Sequence, residues 1–116
     1  MEQWVSASDG FIEADVIRWN ESVFANPRRG KGKPLRIGER QVVAEVLRTD
    51  RDGWVYLLVR ACTITVDNFA GRNVLPLKFE AQIKRAKKTI LRGKPERLLW
   101  SDESARDILL GGVPKG

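Results

Sequence analysis

Between residues 41 and 66 the chain carries its densest run of β-branched and aromatic side chains, interrupted once by Thr49-Asp50-Arg51-Asp52-Gly53. Val, Ile, Tyr and Trp suit a pleated backbone, and Asp-Gly tolerates the positive φ of a tight connection. The pattern therefore predicts a hairpin with strands over 41–48 and 54–66. On the second strand Val55, Leu57, Val59 and Ala61 fall on one face and Trp54, Tyr56, Leu58 and Arg60 on the other. Both faces are partly apolar, as expected of a sheet that curls into a small barrel or is covered on one side by a helix.

Upstream, residues 11–19 alternate Ile12, Ala14 and Val16 with Glu13 and Asp15, which predicts a half-buried strand that residues 20–24 can extend past an irregularity. Pro27, Gly30, Gly32, Pro34 and Gly38 then predict a loop over about 25–38, longer than the usual connection. Downstream of the hairpin, Asp67-Asn68-Phe69-Ala70-Gly71 reads as a turn and residues 72–77 as a short strand. From 77 to 91 the apolar positions Phe79, Ile83, Ala86 and Ile90 recur at spacings of four, three and four among Lys and Arg, which describes a basic amphipathic helix stopped by Gly93 and Pro95. A competing reading breaks this segment near Lys88 and makes residues 89–91 a short strand. Residues 97–100 form a compact apolar element of either type. Ser101-Asp102-Glu103 supplies an N-cap with two acids in the first turn of a short helix that places Ala105, Ile108 and Leu109 on one side, ends at Gly111-Gly112 and anchors to the sheet through Trp100. Residues 113–116 are expected to fray.

These elements predict an α+β fold: a small antiparallel sheet, or a five-stranded barrel of the SH3-like or OB-like kind, with one or two C-terminal helices in a helical region of about 77–111. The length of 116 residues matches one domain, with a single modest core spanning 1–116. A hydrophobic content of 42% beside 31% charged residues is that of a folding soluble chain rather than a disordered one. No apolar run approaches the ~20 residues needed to cross a bilayer, so neither a membrane span nor membrane binding is expected and a cytoplasmic location is the default. The single cysteine, Cys62, sits in an apolar run, cannot form an internal disulfide and reads as a buried structural thiol.

Charge sharpens the picture. Residues 28–40 hold six Arg or Lys against Glu39, and residues 78–97 hold eight against Glu80 and Glu96, giving +5 and +6, while the remainder of the chain sums to −5. Charge segregated in this way attracts a polyanion, and phosphate backbones are the commonest ones available. The absence of histidine removes the commonest general base and metal ligand, and one cysteine cannot build a zinc site. Asp50, Asp52, Asp67 and Glu80 could in principle hold Mg²⁺ for a nuclease, but no spacing favours it and Asp50-Arg51-Asp52-Gly53 reads more simply as a turn. No enzyme activity, metal or cofactor is expected.

The expected function is non-catalytic nucleic-acid binding, to DNA or RNA, with low sequence specificity. The candidate phosphate contacts are Arg28, Arg29, Lys31, Lys33, Arg36 and Arg40 in a flexible glycine-rich clamp, and Lys84, Arg85, Lys87 and Lys88 on the basic helix. Gly30-Lys31-Gly32-Lys33 lacks the spacing of a phosphate-binding P-loop. Trp54 and Tyr56 are candidates for base stacking, joined by Trp19 if the sheet curls, with Trp4 and Trp100 weaker. The alternative is an adaptor or homodimeric subunit that docks through a sheet edge or residues 98–110, its basic residues serving solubility or an acidic partner.

Overall fold

The computed structural model describes residues 2–25, 32–67 and 73–110. They form an α+β fold: an open six-stranded antiparallel sheet with two short helices. The strands are β1 (Trp4–Ser6), β2 (Val16–Ala25), β3 (Leu35–Thr49), β4 (Trp54–Val66), β5 (Gln82–Ala86) and β6 (Glu96–Leu98), and the helices α1 (Lys87–Arg92) and α2 (Glu103–Leu109). Their spatial order is β1-β6-β2-β3-β4-β5.

The sheet does not close, which corrects the expectation of a barrel. β1 and β6 are three residues each, too short to wrap round and meet β5, and the apolar face is covered by other means. Ile17 and Trp19 of β2, Val42, Ala44 and Val46 of β3, and Val55, Leu57 and Val59 of β4 all point to that face and are buried. Ile90 of α1 and Phe11 complete the cluster, with Cys62, Leu77, Ile83 and Leu91 packed at its margin. Burying each such side chain contributes about 1.5–3 kcal/mol before chain entropy is counted, so this face carries most of the stability.

The predicted hairpin is present, with Thr49 opposite Val55 and Arg48 opposite Tyr56. The Asp50 carboxylate accepts the Trp54 and Asp52 N–H groups at 2.9 and 3.0 Å, and Gly53 supplies φ +85°. One register slip between Val43 and Ala44 moves Ala61 off the core face and puts Cys62 on it, opposite Val42. Alternation read from sequence cannot see such a bulge, because one extra residue reverses every side chain beyond it.

The strand expected over 11–19 starts only at Val16. Ala14 has φ +74°, and Asp15 N–H bonds Ile12 O at 3.0 Å, so the first half is a turn whose alternation is coincidental. The loop expected over 25–38 is shorter, since β3 already runs from Leu35; residues 26–31 lie outside the described ones. No strand forms among residues 73–77, although Val74 is buried and its N–H donates to Asp67 Oδ1 at 2.8 Å. The turn residues 68–71, Arg72, the glycine stop at 111–112 and residues 113–116 also fall outside the described chain.

The largest correction concerns 77–91. Instead of one helix, Gln82–Ala86 is a strand paired with Trp54–Leu58 of β4, and a six-residue helix follows. Glu80 at φ +65° breaks the helical path, and Phe79, expected on the apolar face, is exposed. Gln82, Ile83, Lys84, Arg85 and Ala86 show no clean period of two, since Ile83 shares its face with Arg85 and Ala86 with Lys84; the open edge of β4 makes the strand by offering a row of backbone partners. α1 then crosses the core face from β5 to β2, and Asn20 N–H bonds Gly93 O at 2.9 Å. A Cβ on Gly93 would lie 2.1 Å from Asn20 O, so only glycine permits this approach.

α2 begins one residue later than expected: Asp102 rather than Ser101 is the N-cap, accepting Ser104 N–H at 3.1 Å, and Glu103 is the acid of the first turn. Its attachment is not the predicted apolar stripe. Ile108 and Leu109 are exposed, and the buried residue is Arg106, whose Nε and Nη2 each donate to Asp15 at 2.8 Å. Trp100 Nε1 donates to the same carboxylate at 2.8 Å, so this tryptophan does tie the C-terminal segment to the sheet.

Candidate nucleic-acid interface

The face of the sheet opposite the core carries Val16, Arg18 and Asn20 of β2, Gln41, Val43 and Glu45 of β3, Trp54, Tyr56, Leu58, Arg60 and Ala61 of β4, and Lys84 of β5. None of these is fully buried. At one end, Lys84 Nζ stands 4.6 Å from the Trp54 ring centroid and 5.6 Å from that of Tyr56, and the Arg48 guanidinium lies 3.7 Å over Tyr56. The hairpin register assembles this group: antiparallel pairing puts Arg48, Tyr56 and Lys84 side by side on three strands. Tyr56 is oriented by its hydroxyl, which donates to Asp50 Oδ2 at 3.3 Å. The Trp54 N–H bond, aided by those from Asp52 and Tyr56 and by the charge of Lys84, holds the Asp50 carboxyl below its ordinary value, so it stays ionised as the anchor of the turn.

A second aromatic–cation pair stands at the far side of the same face, where Arg18 lies 4.3 Å over Trp4 of β1. Arg18 is also paired with Glu96 at 2.9 Å, and Arg60 with Glu45. Four strand spacings separate Trp4 from Tyr56, about 19 Å. Trp19 does not join this platform: it is buried on the core face and donates Nε1 to Glu21 at 3.3 Å.

The sheet divides the described cations of the two basic segments. Lys84 and Arg85 are neighbours on β5 and so point to opposite faces. Arg85 meets Arg40 on the core side, where both bind Glu21: Arg85 Nε donates to Oε1 at 2.9 Å and Arg40 Nε to Oε2 at 2.9 Å. Burial alone would raise the Glu21 pKa, but the hydrogen bonds and charge of Arg85, then Arg40, together outweigh it and hold the carboxyl below the usual range. Arg36 donates to Ser22 Oγ at 3.3 Å and to Glu39 at 3.0 Å. Lys33 is exposed ahead of β3, Lys88 is exposed on α1, and Lys87 lies 5.8 Å from the Phe11 ring. Arg28, Arg29 and Lys31 are outside the described residues.

Arg48 and Arg18 were not anticipated as site residues. Counting the hairpin outward from Asp50 and Trp54, whose backbones bond at 2.9 Å, would have set Arg48 beside Tyr56, but the Trp4–Arg18 contact depends on β6 inserting between β1 and β2, for which no sequence signal exists. Among the described residues no three His, Cys, Asp or Glu side chains gather to hold a metal ion, and no helix is long and apolar enough to cross a membrane. Comparison with protein-family models, curated proteins and solved structures finds no match to this chain.

Proposed function

We propose that this chain is a non-catalytic nucleic-acid-binding module that takes a single strand across its open sheet face with low sequence specificity. The observation that carries the reading is the cluster of Trp54 and Tyr56 with Arg48 and Lys84 on one accessible sheet face. Flat aromatic rings accept any base, and adjacent cations reach the phosphates on either side. A cation lying on a ring occupies the position of a base, so the strand must displace it. An exposed cation–π contact is worth about 0.5–1 kcal/mol, whereas stacking a base yields about 1–3 kcal/mol. The exchange therefore favours the ligand, and the displaced Arg48 and Lys84 become free to pair with phosphate. The cations of residues 28–40 and 78–97 add long-range attraction through charge alone.

Fluorescence titration with single- and double-stranded oligonucleotides at two salt concentrations tests the reading. A single strand should bind more tightly than duplex, and neutralising about five phosphates should give a log–log salt slope of roughly −3.5. Trp54→Ala and Tyr56→Ala should each weaken binding by about 1–3 kcal/mol. Absence of binding at low salt, or unchanged affinity in the double variant, would remove the proposal. A second reading, a protein-docking subunit, is favoured by Ile108, Leu109 and Leu110, which are 55%, 62% and 53% exposed on consecutive positions at the end of α2. Sedimentation that shows a stable dimer broken by Leu109→Lys would support it.

A further inference from the structure

We infer that the cavity between α1 and the core-side ends of β2, β3 and β5 is a binding site for a phosphate monoester. The cavity has a volume of about 530 Å³ and is lined by nine residues, Glu21, Phe24, Arg40, Arg85, Thr89 and Arg92 among them. That volume is in the range of small-molecule sites.

Charge is the first argument. Three guanidinium groups face one carboxylate, so the lining carries a net +2. Arg40 and Arg85 are largely withdrawn from water, at 13% and 24% side-chain exposure, and Glu21 neutralises only one charge between them. The withdrawn pair leaves one uncompensated positive charge and the exposed Arg92 adds a second, so a phosphate monoester dianion supplies the matching −2.

Preorganisation is the second. Glu21 Oε1 and Oε2 receive Arg85 Nε and Nη2 at 2.9 and 3.2 Å, and Oε2 receives Arg40 Nε at 2.9 Å. Leu75 O accepts Arg40 Nη1 at 2.8 Å and Lys84 O accepts Arg85 Nη1 at 2.9 Å. Both planes are thus fixed before a ligand enters, and each terminal nitrogen retains a second proton to donate. Arg92 is exposed at the rim and has no acidic partner among the described residues, so it is available to fold over an anion. Phe24, 58% exposed on the wall, offers an apolar surface for the organic part of the ester.

The test is amide chemical-shift titration at constant ionic strength with inorganic phosphate and with phenyl phosphate, chloride serving as the blank. Saturable shifts are expected at Ser22, Thr89, Arg92 and Gly93, with phenyl phosphate the tighter ligand. Arg92→Ala should weaken binding about 10- to 100-fold, the range for losing a charge-assisted hydrogen bond, with thermal unfolding little changed because Arg92 has no ion-pair partner among the described residues. Phe24→Ala should abolish the preference for phenyl phosphate. Trp54→Ala/Tyr56→Ala, which removes the stacking platform on the other face, should leave phosphate binding intact, so the failure of either reading is visible apart from the other. Oligonucleotides with and without a terminal phosphate distinguish the ester's source: displacement by the phosphorylated strand alone assigns the pocket to a strand terminus, and displacement by neither assigns it to a free small ester. Displacement by both would show a diester site and overturn the inference, as would shifts no different from chloride or full affinity in the Arg92→Ala variant.

Discussion

Asp15 is the residue on which the C-terminal third of the molecule depends. Its carboxylate is fully buried and accepts Arg106 twice, Trp100 Nε1 and the Ile12 N–H, all at 2.8 Å. Asp15→Ala should cost about 3–5 kcal/mol in a urea titration, because the guanidinium of Arg106 is left buried without its counter-charge. Replacing the pair together, as Asp15→Leu with Arg106→Met, should recover only part of that loss, since Ile12 N–H and the Trp100 indole still lack an acceptor. Glu103 gives a second residue-scale prediction. Arg97 donates to it twice, at 2.8 and 3.1 Å, and with burial opposing, these bonds and the Trp100 N–H lower its pKa from 4.5 to about 2. A depressed folded value means the contribution is whole above pH 4.5 and disappears as pH falls towards 2. Glu103→Gln should therefore flatten the acid limb of stability followed by circular dichroism between those values. Glu21, also held low by its arginines, sharpens the same limb in the parent protein.

At the scale of elements, the junction of α1 and β2 is a close backbone contact. Gly93 ends α1, its carbonyl accepts Asn20 N–H at 2.9 Å, and an added methyl would meet Asn20 O at 2.1 Å. Gly93→Ala should destabilise by about 1–3 kcal/mol, the ordinary cost of overpacking, and should speed amide exchange in β6, which follows directly. The strand at 82–86 makes a spectroscopic prediction. Close Hα contacts between Trp54 and Ala86 or between Tyr56 and Lys84 belong to an antiparallel ladder, and their absence would restore the helix that the spacing of Ile83, Ala86 and Ile90 suggests. Helical spacing was legible there because Ile90 does belong to a helix and is buried. What the pattern lacked was the turn at Glu80, where a non-glycine residue with φ +65° hides its conformation behind an ordinary side chain.

The whole molecule is long and thin, 61 × 34 × 22 Å, with a Cα radius of gyration of 16.3 Å against about 13 Å for an ordinary domain of this size. β2, β3 and β4, at 10, 15 and 13 residues, set that length, and solution scattering should return the larger radius. The shape also separates the chemistry. Lys84 and its aromatic neighbours face one way, while Arg40 and Arg85 face the other around Glu21, so the described cations of the two basic segments do not form one patch. Raising salt should weaken strand binding steeply on the open face but phosphate-monoester binding less, because Arg40 and Arg85 are more shielded from counterions than Arg48 and Lys84.

By itself the chain determined the central hairpin, the sharing of one face of β4 by Val55, Leu57 and Val59, and the start of α2 to within a residue. Each rests on neighbours a few residues apart: Asp50 with Trp54, Val55 with Leu57 and Val59, Asp102 with Ser104. Trp54 and Tyr56 were recognisable as a pair for the same reason. Tertiary structure alone decided that Ala61 leaves the core, that residues 82–86 extend the sheet, that Arg106 rather than Ile108 attaches α2, and that Glu21 gathers arginines from β3 and β5. Those outcomes turn on a bulge, on an edge needing hydrogen-bond partners, and on buried carboxylates needing counter-charges 19, 64 and 91 residues away. Such demands are met by whichever side chain the folded backbone brings within reach, and local spacing holds no record of it.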